Sequence, residues 1–269
     1  MLLVIDVGNT NTVIGVYEAS SLNGPEEVRQ RLADTGLTHH FRIATVEERT
    51  ADEQALLMVQ LLGMKGLDHL NSISGVVISS TVPSATQSLR EMAERWFATT
   101  PLVIGPGVRS GMPILYDNPK EVGADRIADA VAGRDLYGLP LVVVDFGTAT
   151  TFDAVSAKGE YLGGAICPGV EISMNALVAL RKVELAPPRG VIGRSTVESM
   201  QSGALYGFGA QTDGMVKAFR AELGAEVKVI ATGGLANVIA PFCEQLDAVE
   251  PWLTLHGLRL LYERNILAR

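Results

Sequence analysis

Cysteine, histidine and aromatic residues are scarce in this chain. Its 269 residues include 2 cysteines and 4 histidines, and Phe, Trp and Tyr together make up 6%. Cys167 and Cys243 form neither a disulfide framework nor a metal-binding spacing, and they fit a reducing cytoplasm. His39, His40, His69 and His256 share no spacing and read as surface or internally satisfied side chains. No apolar run approaches the ~20 residues that span a bilayer. Met1 leads into a strand pattern with no basic stretch and no cleavage site, so a cytoplasmic location is expected. Positive charge is in deficit: 22 Lys and Arg against 30 Asp and Glu give a net charge of -8. That leaves a nucleic-acid role without broad electrostatic support. It does not exclude ATP, because a local cradle and a cation outweigh a distant field. The length allows one large domain or two of ordinary size. With 47% hydrophobic and 19% charged residues, a soluble globular chain with a sizeable core is expected.

What is present is a motif written twice. Leu2-Leu3-Val4-Ile5-Asp6-Val7-Gly8-Asn9-Thr10-Asn11-Thr12 returns in variant form as Leu141-Val142-Val143-Val144-Asp145-Phe146-Gly147-Thr148-Ala149-Thr150-Thr151. Each copy is an apolar run, an Asp, one apolar residue, a Gly and a cluster of small polar residues. The apolar run reads as a strand buried on both faces. Gly8 and Gly147 allow a turn and close backbone approach. Backbone N–H groups in such a loop form an anion-binding concavity. One copy alone is as well explained by a polar turn after a buried strand; two copies with the same order point to phosphate binding. Asp6 and Asp145 repel phosphate, so a cation must stand between, and hard cations prefer oxygen ligands.

Along the chain, residues 1–17 read as a hairpin and 18–38 as a polar surface excursion, with the sheet resuming at 39–44. A helix over 50–62 has Thr50 as N-cap and Glu53 three residues on. Residues 73–79 read as a buried strand, 84–97 as a helix after Pro83, and 102–104 as a short strand. A helix over about 122–137 marks the join of two halves, 1–118 with the first phosphate loop and 119–269 with the second. In the second half, strands are expected at 141–146, 152–156, 160–166 and 227–231. Helices are expected at 172–180, 196–223, 235–245 and 253–265. The alternation argues for an α/β fold.

Two further segments carry candidate chemistry. The strand 227–231 ends in Thr232-Gly233-Gly234, where glycines let a base or ribose lie against the backbone. Alone this is a common strand–helix turn; beside two phosphate loops it becomes the nucleoside end of a site. Gly123-Ala124-Asp125-Arg126 opens a helix. It reads as a helix first turn with an acidic residue favoured by the dipole, or as a general base with an arginine for an anionic group.

The combination resembles the acetate-kinase, sugar-kinase, Hsp70 and actin superfamily, and is more closely similar to type III pantothenate kinase. That resemblance rests on Asp6–Asn11, Gly123–Arg126, Asp145–Thr151, Gly163–Gly169 and Thr232–Gly234 in this order. Ser195–Gly203 and the closing Leu253–Arg259 are also similar, so the likeness runs from residue 2 to about residue 265. It implies two related ribonuclease-H-like domains of the actin-like ATPase fold with a nucleotide cleft between them. It implies ATP-dependent phosphorylation of pantothenate to 4'-phosphopantothenate, the first step of coenzyme A biosynthesis. Asp125 would be the catalytic base, and Tyr116, Gly123, Ala124, Asp125, Arg126 and Thr196 would bind pantothenate. Asp6, Val7, Gly8, Asn9, Thr10, Asn11, Thr12 and Val13 match ATP-binding positions, joined by Gly147, Thr148, Thr232, Gly233 and Gly234. Asp145 matches a ligand of potassium or ammonium, and Asp6 would hold Mg²⁺ through water. A homodimer with its substrate pocket at the interface is expected, with neither nucleic acid nor membrane as a partner.

The chain departs from the family pattern around Leu180-Arg181-Lys182-Val183, where a Thr-Ala-Lys-Leu-Pro run is replaced by a shorter segment. Cys167, inside Gly163–Gly169, reads as packing. Two other functions compete. A non-catalytic regulator on the same fold would have eroded its base or its cradles, yet Asp6, Asp125, Arg126 and Asp145 are all present. A kinase of another small hydroxy or carboxylic acid fits less well with the Gly-Ala-Asp-Arg box and the closing Leu-Thr-Leu-x-Gly-Leu.

Overall fold

The computed structural model describes residues 1–17, 36–67, 72–177 and 183–267. The polar excursion is therefore described only from residue 36, and most of the 180–183 departure lies outside the described residues. The chain divides into two compact units. One comprises 1–112, 117–132 and 253–269; the other comprises 113–116 and 133–252. This is not a single cut at 118/119, because the chain returns to the first unit twice.

In the first unit, β1 (Leu2–Val7) is central. It pairs antiparallel with β2 (Asn11–Tyr17), which pairs antiparallel with β3 (Leu37–Ala44). α1 (Ala51–Gly63) carries the expected capping box: Thr50 accepts from the Glu53 N–H while Glu53 accepts from the Thr50 N–H. β4 (Gly75–Ser80) runs parallel to β1. α2 (Pro83–Trp96) starts with proline in its first turn, where the missing N–H costs nothing. β5 (Leu102–Val103) closes the order β3-β2-β1-β4-β5. Leu3, Ile5, Val7, Ile14 and Ile78 pack against Ala55, Met58, Leu62, Leu89 and Met92, so α1 and α2 cover one face. α3 (Ala124–Tyr137) begins in this unit and its residues 133–137 belong to the other. A closing helix, Leu253–Tyr262, ends in a π-helical segment, Glu263–Leu267.

The second unit repeats the topology. β6 (Leu141–Phe146), β7 (Ala149–Val155) and β8 (Tyr161–Pro168) form an antiparallel meander. α4 (Val170–Leu177) and α5 (Thr196–Leu223) follow. α5 keeps the expected bounds, with Ser195 as N-cap and Gly224 as C-cap at φ 104. β9 (Lys228–Thr232) lies parallel to β6, then come α6 (Ala236–Ile239) and β10 (Ala248–Val249). The order is β8-β7-β6-β9-β10, strand for strand that of the first unit.

β1 and β6 share one burial pattern, four buried residues, a half-buried Asp and a buried apolar residue. β3 alternates between half-buried and exposed, as an edge strand with one solvated face does. A helix over 235–245 does not form. α6 stops at Ile239 and a single 3₁₀ turn, Ala240–Phe242, follows. Pro241 explains this: it has no N–H to donate, and its ring clashes with a preceding carbonyl. Among the described residues no helix is long and apolar enough to cross a membrane.

Candidate active site

In the first unit, Asp6 stands one residue before the end of β1, opposite Val13 on β2 and Ser79 on β4. The Ser79 side chain hydrogen-bonds to it. The loop after β1 is closed by the Gly8 N–H donating to the Asn11 carbonyl at 3.0 Å. Thr45 braces one side: its N–H donates to Thr10 O at 3.0 Å and its hydroxyl to Gly8 O at 2.7 Å. The Thr45 and Thr12 hydroxyls lie 2.9 Å apart. Thr81 braces the other side, donating its N–H to Val7 O at 3.1 Å and its hydroxyl to Asn9 Oδ1 at 3.4 Å. Asn9, Thr10 and Asn11 remain exposed, free to meet a ligand. The Val7 side chain is in the core and Thr12 is turned inward, so Val7 can serve a ligand only through its backbone.

The same unit holds the start of α3. The Asp125 carboxylate accepts from the Arg126 N–H at 2.8 Å, and the Ile127 N–H donates to Gly123 O at 3.2 Å. A Cβ on residue 123 would stand 2.4 Å from Asp125 Oδ1, so Gly123 leaves the room that this carboxylate occupies. The closing helix fixes α3 from behind. A Cβ at Gly257 would fall 1.9 Å from the Ala128 carbonyl oxygen, which makes this a backbone-to-backbone helix contact. Burial, and after it the negative charge of Asp125, push the Asp6 carboxyl up from 3.8 to about 7, against a smaller lowering by Ser79. A carboxyl whose ionisation is opposed by burial and by a neighbouring carboxylate is one that a nearby cation would relieve. Among the described residues no three His, Cys, Asp or Glu side chains gather into a metal cage.

In the second unit, Asp145 occupies the place of Asp6, opposite Thr151 on β7 and Thr232 on β9. Its loop is one residue tighter, with the Gly147 N–H donating to Ala149 O at 3.0 Å. Gly233 has φ 94, and a Cβ there would be 2.1 Å from Asp145 Oδ1, so only glycine fits. Gly169 presses on the loop from the end of β8, its would-be Cβ 2.0 Å from Thr148 O. The Thr232 hydroxyl is buried and has no hydrogen-bond partner among the described residues. Thr232 is the register partner of Asp145 across the parallel pair, so the two side chains share a sheet face.

The other expected contacts also lie in the second unit. Tyr116 is half-buried over Gly163, whose would-be Cβ is 3.1 Å from the ring. Thr196 is the exposed first residue of α5. That end is held by Glu198, which accepts from the Arg194 N–H at 2.9 Å and from Arg189 at 2.7 Å. Thus Asp6–Val13 and Gly123–Arg126 come together in one unit. Tyr116, Asp145, Gly147, Thr148, Thr196 and Thr232–Gly234 fall in the other. Sequence reasoning missed Thr45, Ser79, Thr81 and Gly169. Ser79-Ser80-Thr81 had a signal: it stands at the end of β4 where Thr232-Gly233-Gly234 stands at the end of β9.

Two units of one topology, each ending its central strand in an Asp and a phosphate-type loop, define an actin-like phosphotransferase or ATPase. Component A of (R)-2-hydroxyglutaryl-CoA dehydratase from Acidaminococcus fermentans shares the fold, with a TM-score of 0.54 at 11% identity over 100% of this chain and 99% of that one. The sequence model of the type III pantothenate kinase family matches residues 2–218. Type III pantothenate kinase of Streptomyces griseus is 53% identical over 99% of both chains. That of Myxococcus xanthus is 51% identical over 98% of this chain and 99% of its own. The chain belongs to the type III pantothenate kinase family.

The raised Asp6 carboxyl has a thermodynamic consequence. Between about pH 4 and 7 the folded protein keeps a proton there that the unfolded chain has lost. Folding therefore takes up a proton, and this contribution to stability is complete below the unfolded value and lost as pH rises through about 7. In ligand-free, EDTA-treated protein, Asp6→Asn flattens the fall in Tm between pH 5 and 8. Parallel pH profiles for wild type and variant refute the assignment.

Proposed function

We propose that the protein transfers the γ-phosphoryl group of ATP to pantothenate, giving 4'-phosphopantothenate, the first step of coenzyme A biosynthesis. The observation that carries this reading is the joint placement of Asp125 and Asp6 beside one braced Gly/Thr loop. Asp125 accepts the proton of the pantothenate hydroxyl as its oxygen attacks the γ-phosphorus. A carboxylate is a weak base for an alcohol. In a loose phosphoryl-transfer transition state the proton leaves late, so placement counts for more than basicity. Arg126, next to Asp125, has the fork geometry to pair with the pantothenate carboxylate. Gly123 and Ala124 are further acceptor contacts of the first unit, and Tyr116 and Thr196 are those of the second. The exposed Asn9, Thr10 and Asn11 and the N–H groups of their loop hold phosphate oxygens. Gly147 and Thr148 do so in the second unit, and Thr232–Gly234 take the nucleoside. Mg²⁺ held through Asp6 by way of water supplies charge neutralisation to the phosphates. Asp145 and the Thr232 hydroxyl hold a monovalent cation, K⁺ or NH₄⁺.

We infer a homodimer, and α5 supports it. Gly203, Gly207 and Gly214 would each have a Cβ with nothing within 4 Å, whereas Gly209 is pressed on the Phe242 carbonyl. Each helical glycine costs about 1 kcal/mol against alanine, and only Gly209 has a reason within the chain. From Ser199 to Gly214 the one charged residue of α5 is Asp213, which accepts from the Glu244 and Gln245 N–H groups at 2.9 Å. This stretch borders a hollow lined by Val191, Tyr206 and Phe242, with Asp213 and Glu244 at its edge. Small residues at this spacing let a second helix approach closely, here an equivalent α5 from another copy.

An ADP-release assay run in parallel with pantothenate, glucose and acetate tests the substrate; turnover confined to glucose or acetate, or no turnover, refutes it. Asp125→Asn keeps ATP binding and loses roughly 10²-fold or more in kcat, and a near-normal rate removes it as the base. Activity rises when Na⁺ is replaced by K⁺ or NH₄⁺, and indifference to the monovalent salt counts against the role of Asp145. Gly207→Leu converts the dimer to monomer in analytical ultracentrifugation; an unchanged sedimentation coefficient places the interface elsewhere.

A further inference from the structure

The second unit buries a carboxylate that the proposed mechanism does not use. Asp153 lies in β7, wholly buried, and accepts a hydrogen bond from the Tyr161 hydroxyl at 2.6 Å and one from the Thr151 hydroxyl at 3.3 Å. Tyr161 is also wholly buried. A buried carboxylate is costly, and replacing such a group by apolar residues is often neutral or stabilising.

The repeated topology shows what the fold itself needs here. Asp153 stands opposite Val143, and the equivalent place in the first unit, opposite Val4, holds Gly15. Tyr161 opens β8 as Leu37 opens β3. In the first unit no carboxylate stands here: a Cβ at Gly15 would meet the Leu255 side chain at 3.0 Å, the Leu37 side chain at 3.1 Å and a ring carbon of Tyr17 at 3.4 Å. The same strand register therefore forms without a carboxylate. What distinguishes the second unit is the segment docked on Tyr161. The Tyr161 N–H donates to Pro113 O and its carbonyl accepts from the Leu115 N–H, both at 2.8 Å. Ile114 forms a parallel bridge with Tyr161. The next residue is Tyr116, whose ring lies over Gly163, two residues past Tyr161.

We propose that the buried Asp153–Tyr161 pair is a positioning device for pantothenate, holding the start of β8 so that the docked 113–116 segment presents Tyr116. This rests on the reading of Tyr116 as a pantothenate contact. The carboxylate fixes the phenol, the phenol fixes the Tyr161 backbone, and that backbone holds the segment by two hydrogen bonds. A charge-assisted bond to a buried carboxylate is stronger and geometrically narrower than the apolar contact in the first unit.

The test uses the full-length protein. Tyr161→Phe removes the hydroxyl and keeps the ring. Asp153→Ala with Tyr161→Leu installs a contact of the first unit's apolar kind, so that folding survives. Steady-state kinetics, calorimetric pantothenate binding without ATP, and Tm are measured for each. Both variants raise the pantothenate KM and Kd by about 5–10-fold while the ATP KM stays within about twofold, since only acceptor placement is lost. On a Tyr116→Ala background, Tyr161→Phe adds no further loss of pantothenate affinity. Equal increases in both KM values, or a lower Tm with pantothenate binding intact, overturn the proposal and leave the pair a purely structural bond. A wild-type protein that turned over glucose or acetate but not pantothenate would instead sink the functional reading, and the proposal with it.

Discussion

The structure depends on the burial of β1 and β6 on both faces. A strand covered on both sides has no tolerance for a register slip, because each side chain must fill a defined space. The register then decides where the chain leaves the sheet. In both units the Asp sits one residue before the strand end, and the next strand across is parallel. The Asp is thereby half-buried at the rim, with a polar side chain from β4 or β9 directly opposite. Both carboxylates owe their surroundings to this one constraint.

A common frame does not impose common chemistry. In the first unit the loop is braced by side chains, Thr45 and Thr81, and its Asp is coupled to a second carboxylate on α3. In the second unit the loop is one residue shorter and braced by backbone, with Gly169 and Gly233 packed where any Cβ would collide. Its Asp faces a buried hydroxyl that has no hydrogen-bond partner among the described residues. The first arrangement sets two carboxyl groups near each other. The second sets a carboxylate beside a hydroxyl in a tighter space. The same divergence recurs deeper in the sheet, where an apolar Gly15–Leu37 contact is matched by the Asp153–Tyr161 hydrogen bond.

Much of this was legible in the sequence. The strand–Asp–Gly repeat, the capping box at Thr50 and Glu53, the bounds of α5 and the family motifs were all local signals. Each rests on neighbours within a few residues, and local propensity and burial agreed. The failure at 235–245 was also local: apolar spacing suggested a helix, and the backbone chemistry of Pro241 overrode it. The braces were not legible. Thr45 looks like an ordinary loop residue until the strands are paired, Gly169 belonged to a family motif but its packing on the loop did not show, and a buried Asp153 in a strand looks like a surface position of an alternating pattern.

The sequence by itself determined the fold class, the two phosphate-type loops, the Gly-Ala-Asp-Arg helix start and the family, because these reside in residue types at short fixed spacings. Only the tertiary structure decided which carboxylates feel one another and which glycines are sterically compelled. It also showed that Asp153 is buried against Tyr161. Those properties come from groups far apart in the chain that share a small volume. Desolvation, Coulomb repulsion and steric exclusion act through distance in space, and spacing along the chain does not encode them.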